Sequence, residues 1–170
     1  NERLRATVLR ELLQLQRSAP GRRAVVLSCL AEGADRLVAR IAIDQLKAEL
    51  VAILPMPPRD YRRDFRDVAS RREFDALLGA ATRRVAVADE GVRAGAAGEG
   101  ERARRYARAG AWLVQRSDVL LAIWDGKPER GIGGTAQIVR WMLSGSIPRR
   151  YVWRAPGDEP TPLRAPGRVV

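Results

Sequence analysis

The chain contains no histidine and a single cysteine, and aromatic residues make up only 5% of it. Without histidine, Ser-His-Asp and Cys-His catalytic machinery and most zinc sites are excluded. Any chemistry must rest on carboxylates, arginine, lysine, tyrosine or hydroxyls. The lone cysteine, Cys29, excludes an internal disulfide and is compatible with a reducing compartment. Its place in a strand-like apolar run reads as a buried, inert thiol. No run approaches the roughly 20 apolar residues of a membrane span, and no signal-peptide pattern opens the chain. These absences lead to the expectation of a soluble, cytoplasmic domain.

What is present is a chain of 170 residues, 46% hydrophobic, with a formal charge of +11. That length suits one well-buried domain. Only Lys47 and Lys127 are lysines, so arginine carries nearly all of the positive charge. Such a balance suits anionic partners, nucleic acid or nucleotides. Arginine excess beside abundant alanine and glycine also fits a GC-rich coding bias. The chain opens at Asn1 directly in a helical pattern and ends in the proline-rich WRAPGDEPTPLRAPGRVV. The expectation is a piece of a longer protein: one domain over 1–154 that lacks a strand before Asn1, and a tail or linker over 155–170.

Periodicity alternates along the chain. Helical spacing of Leu4, Val8, Leu12 and Leu15 predicts a helix over Glu2–Arg17. A strand is expected at Ala24–Cys29, a helix at Gly33–Leu46, and a strand at Leu50–Leu54 that Pro55 stops. Mixed charge over Arg59–Ala81 reads as helix interrupted near Ser70, followed by a short strand at Arg84–Ala88 and a loop over Glu90–Gly100. Then come a helix at Glu101–Gln115, a strand at Asp118–Trp124, a helix at Thr135–Leu143 and a last strand at Arg150–Trp153. Strands separated by helices predict an α/β fold, doubly wound and Rossmann-like, with a mainly parallel sheet and helices on both faces. Ligands in such folds bind beyond the carboxyl ends of strands, near the point where strand order reverses.

Two turns lie at such ends. In SCLAEGADRL, Ser28 closes a strand, Gly33 permits tight helix entry, and Glu32 and Asp35 stand near the helix start. The carboxylates there serve either the helix dipole or the hydroxyls of a ribose. In SDVLLAIWDGKPERGIGGT, an apolar run without alternation suits a strand covered on both faces, ending in Asp125. Gly131, Gly133 and Gly134 then offer backbone N–H groups beside a helix start, a setting suited to phosphate, where Thr135 would either cap the helix or bind a phosphate oxygen. The loop matches neither the G-x-G-x-x-G fingerprint nor a Walker A loop. Lys127, Glu129 and Arg130 read as solvated charges. In RDYRRDFRDVASRR, arginines and aspartates at helical spacing read as a solvated helix, or as a basic wall with Tyr61 and Phe65 as a stacking surface. A similar pairing runs through Arg102, Arg104, Arg105, Tyr106 and Arg108.

The segments VVLSCLAEGADRLVARIA, VAILPMPPRDYRRDF and SDVLLAIWDGKPERGIGGTAQIV together resemble the SLOG superfamily, which joins the Smf DNA-processing proteins to the Lonely Guy phosphoribohydrolases. The likeness runs from about Val25 to Val139. It implies a Rossmann-like fold with a pocket for nucleotides or nucleotide-derived molecules. Carried over by position, Ser28, Glu32, Gly33 and Asp35 would form one wall. Asp125, Gly126, Gly131, Gly133, Gly134 and Thr135 would form the phosphate-side wall. Lonely Guy enzymes place a catalytic Glu three residues after the loop threonine, where this chain has Ile138. The resemblance therefore favours a sensor-type member: a bacterial ligand-binding module of a conflict or signalling system. Its ligand would be a nucleotide or an NAD-derived, ADP-ribose-like molecule, with no obligatory cofactor and room for homo-oligomers. The alternatives are a nucleotide phosphoribohydrolase acting as an N-glycosidase, in which Glu32 or Asp125 substitutes for the missing acid, and a single-stranded DNA-binding domain.

Overall fold

A computed structural model describes residues 2–87, 99–129, 131–155, 157–158 and 167–170. The class is mixed α/β, with small parallel sheets. The chain groups into two compact units, Asn1–Ala52 with Arg62–Val85, and Ile53–Tyr61 with Ala86–Val170.

In the first unit, α1 (Glu2–Ser18) buries Val8 and Leu12 and packs on α2 (Ala34–Leu46). Helix α2 starts at Gly33 and stops where Lys47 turns left-handed (φ 53), its N–H donating to the Ala42 carbonyl. This helix joins β1 (Val25–Ser28) to β2 (Glu49–Leu54), which pair in parallel with Val25 opposite Glu49 and Ser28 opposite Ala52. The apolar run of β2 puts Leu50, Ala52, Ile53 and Leu54 in the interior, and Pro55 has no N–H with which to extend the ladder. The sheet order is β1-β2-β3, with β3 at Arg83–Ala86. Thr82 N–H donates to the Leu50 carbonyl and Val87 N–H to that of Leu54, so the pairing advances in the same direction on both chains. Strand order runs outward without a reversal, so no switch point falls within these three strands.

The mixed-charge region divides earlier than expected. Short α3 (Pro58–Tyr61) runs into a 3-10 turn at Arg62–Asp64, and α4 (Val68–Ala80) begins after Asp67, whose carboxylate accepts the Ser70 N–H at 2.8 Å. The expected break near Ser70 therefore lies before Val68, because Asp67 is the capping residue and Ser70 belongs to the first turn.

In the second unit, α5 (Glu99–Arg116) and α6 (Thr135–Ser144) enclose a cluster of Ala107, Ala111, Val114, Trp141, Met142, Ile147 and Tyr151. Helix α6 ends at Gly145 (φ 64), whose N–H returns to the Trp141 carbonyl. Three expectations are corrected here. Glu99 and Gly100 are helical, while residues 90–98 of the expected loop lie outside the described residues. The strand expected at Asp118–Trp124 is only β4 (Val119–Leu120), and its apolar residues are half-buried where cover on both faces was expected. The expected strand at Arg150–Trp153 is a 3-10 turn, Arg149–Tyr151, which follows Pro148 and sets Tyr151 against Trp141 at 5.3 Å. Strand β4 finds its parallel partner in β5 (Arg168–Val169), inside the stretch expected to be tail. Much of that stretch, residues 156 and 159–166, lies outside the described residues, as does Arg130.

Candidate functional site

The β1–α2 turn is built by its own side chains. Ser28, 5% exposed, accepts the Leu30 N–H on its hydroxyl at 3.1 Å, which bends the chain at the end of β1. Leu30 is fully buried in the left-handed region (φ 56), at a cost of about 1 kcal/mol for a residue with a Cβ. Its carbonyl accepts Arg36 Nε at 2.9 Å, so the unusual backbone is held from inside the fold. Gly33 takes φ 92, and no side chain caps the α2 start. The Asp35 carboxylate reaches back to the N–H groups of Ala31, at 3.4 Å, and Cys29. Burial pushes the Asp35 carboxyl up from its ordinary value, against those two N–H groups and Arg36. Burial, and secondarily Asp35, pushes the Cys29 thiol far above the usual thiol range, so it is inert at neutral pH, as its apolar setting suggested.

Glu32 and Gly33 line an open cleft of about 550 Å³ shared with the start of α4. At its base lies Arg36, only 1% exposed. Its guanidinium stacks 4.2 Å from the Phe65 ring centroid. Nη1 donates to the Ser70 carbonyl and hydroxyl, both at 2.8 Å, and to Glu73 at 3.4 Å. Arg40, one helical turn on, reaches the other Glu73 oxygen at 3.5 Å. A buried cation is tolerated because these acceptors replace its water. Glu32 accepts the Ser70 hydroxyl and the Arg66 N–H, the latter at 3.1 Å, and pairs with Arg66 Nε at 3.3 Å. The Ser70 hydrogen bond above all, helped by Arg66 and Arg36, holds the Glu32 carboxyl below its ordinary value, so it stays an ionised acceptor.

Of the first expected wall, Glu32 and Gly33 face the cleft, whereas Ser28 and Asp35 shape the turn from within. The sequence reading missed Arg36, Arg40, Ser70 and Glu73. The available signal was Arg36 itself, a charge three residues before the buried Ala39 and on the same face of α2. The stacking surface expected at Tyr61 and Phe65 is corrected: both are core residues, 1% and 3% exposed. Tyr61 meets Tyr106 edge-on at 5.9 Å, and Phe65 lies against Phe74 at 4.9 Å. The helical charges partly pair, as Arg62 does with Asp75 at 3.1 Å.

The second expected wall belongs to the second unit. Asp125 lies five positions beyond β4, half-exposed, and accepts the Lys127 N–H at 3.1 Å. Gly126 takes φ 75, and Gly131 has open space where a Cβ would stand. Gly133 takes φ 83, and a Cβ there would come within 2.7 Å of Tyr106 Cβ and 2.9 Å of the Ala107 nitrogen. Its N–H donates to the buried Gln137 side chain at 2.8 Å. Gly133 is thus glycine because α5 passes close by, and its amide is already engaged. Gly134, extended and without a side-chain cap, precedes α6, so Thr135 is the first helical residue and not the cap. Ile138 packs against the apolar cluster of α5 and α6, and a Cβ on Gly110 would overlap it.

Among the described residues no helix is long and apolar enough to cross a membrane. Comparison with protein-family models, with curated proteins and with solved structures finds no match to this chain.

Proposed function

We propose that the chain is a SLOG-like, Rossmann-like module that binds a nucleotide or NAD-derived ligand in the cleft beyond β1 and relays its presence within a larger bacterial protein. The observation that carries this reading is the opening of the β1–α2 turn onto that cleft. An ionised acceptor, Glu32, and the start of α2 at Gly33 stand there beside Arg36, Arg40 and Arg66. Glu32 accepts sugar hydroxyls, and the guanidiniums supply donors for acidic groups. Because the Ser70 hydroxyl and Arg66 already bond to Glu32 in the cleft, a ligand must exchange these contacts for its own. Binding shifts a conformational population only as far as the ligand prefers one arrangement.

Two features favour binding over the alternatives. Ile138 stands where a glycosidase would carry its acid, and it is a partly buried apolar side chain packed against the α5–α6 cluster, with no group that can transfer a proton. Burial of Tyr61 and Phe65 removes the stacking surface expected in that segment for single-stranded DNA. The test is a thermal-shift titration with AMP, NAD and ADP-ribose, alongside an assay for free base. At a hundred times its Kd a true ligand adds about 2.7 kcal/mol and raises Tm by a few degrees. Release of base would replace the sensor reading with an enzyme. Unchanged melting with all three compounds would remove it.

A further inference from the structure

The cleft is close to charge-balanced but rich in unspent donors, and this identifies which part of a ligand it holds. Glu32 spends one oxygen on the Ser70 hydroxyl and the Arg66 N–H and the other on Arg66 Nε. Glu73 divides its two oxygens between Arg36 and Arg40. The arginines are far less committed. Among the described residues Arg40 bonds through Nη2 alone, at 3.5 Å, and the Arg66 side chain through Nε alone, at 3.3 Å. The outer nitrogen of Arg36, Nη2, has no hydrogen-bond partner although the side chain is 1% exposed. A guanidinium is a planar fork of donors that matches phosphate in pairs of parallel bonds. The start of α2, left without a side-chain cap at Gly33, adds partial positive charge to the same cleft.

We infer that Arg40 and Arg66 grip the phosphate of a ribose phosphate in this cleft, with Glu32 left to its hydroxyls, an assignment that rests on the nucleotide reading above. This places phosphate at the β1–α2 turn, where sequence position suggested ribose alone. The volume of about 550 Å³ accommodates a sugar phosphate and exceeds what inorganic phosphate fills. Arg40 comes from α2 and Arg66 from the segment before α4, so a shared phosphate ties the two elements together.

The experiment is calorimetric titration of the full chain with ribose 5-phosphate, ribose, inorganic phosphate and AMP. It is repeated on Arg40→Ala, on Arg66→Ala, on the double variant, and on Arg10→Ala as a control for net charge. Arg40 and Arg66 side chains are 40% and 84% exposed, so the variants keep the fold, which their melting curves check. Ribose 5-phosphate should saturate the protein where ribose does not and bind more tightly than inorganic phosphate. Each cleft variant should weaken it about tenfold or more, and Arg10→Ala should not. Equal weakening by Arg10→Ala would overturn the assignment in favour of diffuse charge. AMP held equally well by wild type and double variant would overturn it while leaving the nucleotide reading intact. Ribose 5-phosphate held through the two arginines with AMP refused would keep the phosphate site and remove the nucleotide. Binding of none of the four probes would overturn both.

Discussion

The two turns that looked alike in sequence, Ser28–Asp35 and Asp125–Thr135, use their glycines and polar residues for opposite ends. At the first, the interior groups are satisfied by the turn itself, and Glu32 and Gly33 are left facing an open cleft. At the second, the glycine that most resembles an anion cradle is consumed by packing. Gly133 lies against α5 and gives its N–H to Gln137. A glycine-rich loop is therefore evidence of close approach, and what approaches can be the protein's own helix. A site is better recognised by donors and acceptors that the fold leaves unused.

The largest effect is expected from Arg36→Ala. It leaves the Leu30 and Ser70 carbonyls without their donor and opens a void beneath Phe65, and should cost about 4 kcal/mol in urea denaturation. A loss below about 1 kcal/mol would show that the first turn holds its shape without the arginine. Next, Gly133→Ala should cost about 2 kcal/mol, from positive φ and overlap with Tyr106 and Ala107, and Gly131→Ala less than about 0.5 kcal/mol. Equal losses at the two positions would erase the distinction between a packing glycine and a loop glycine.

The smallest effects are pH-dependent and of opposite sign within one turn. Asp35 has a raised folded value, so its contribution to stability is present at acid pH and is lost as pH rises through that value. Asp35→Asn should accordingly gain on wild type as pH rises from acid, above the ordinary aspartate range, toward neutrality. Glu32 has a lowered folded value, so its contribution is present at neutral pH and is lost as pH falls through that value. Glu32→Gln should lose stability relative to wild type at neutral pH and recover it in acid. Denaturation curves for both variants across that range would sharpen the contrast, and parallel trends would remove it.

Much of the fold was legible because local signals are strong where periodicity is long. Helices α1, α2, α5 and α6 fall within one or two residues of their expected bounds, and β1 and β2 within one. The errors arose where a distant partner decides the outcome. The apolar run after Ser117 forms ladder bonds only as far as β5 reaches, and Tyr151 is drawn into a turn by Trp141. Glu32 and Gly33 could be read from the turn chemistry of a single segment. Arg36 could not, because its partners on Ser70 lie 34 residues away.

The pairing of Val119–Leu120 with Arg168–Val169 also has a kinetic meaning. Because β4 has no other strand partner among the described residues, its ladder must wait until the chain has been synthesised through residue 169. During translation the first unit's β1–α2–β2 element can fold early, whereas the apolar stretch Val119–Trp124 stays exposed for longer. A chain truncated after residue 150 should therefore engage chaperones through that stretch, whereas the chain that includes Arg168 and Val169 should not.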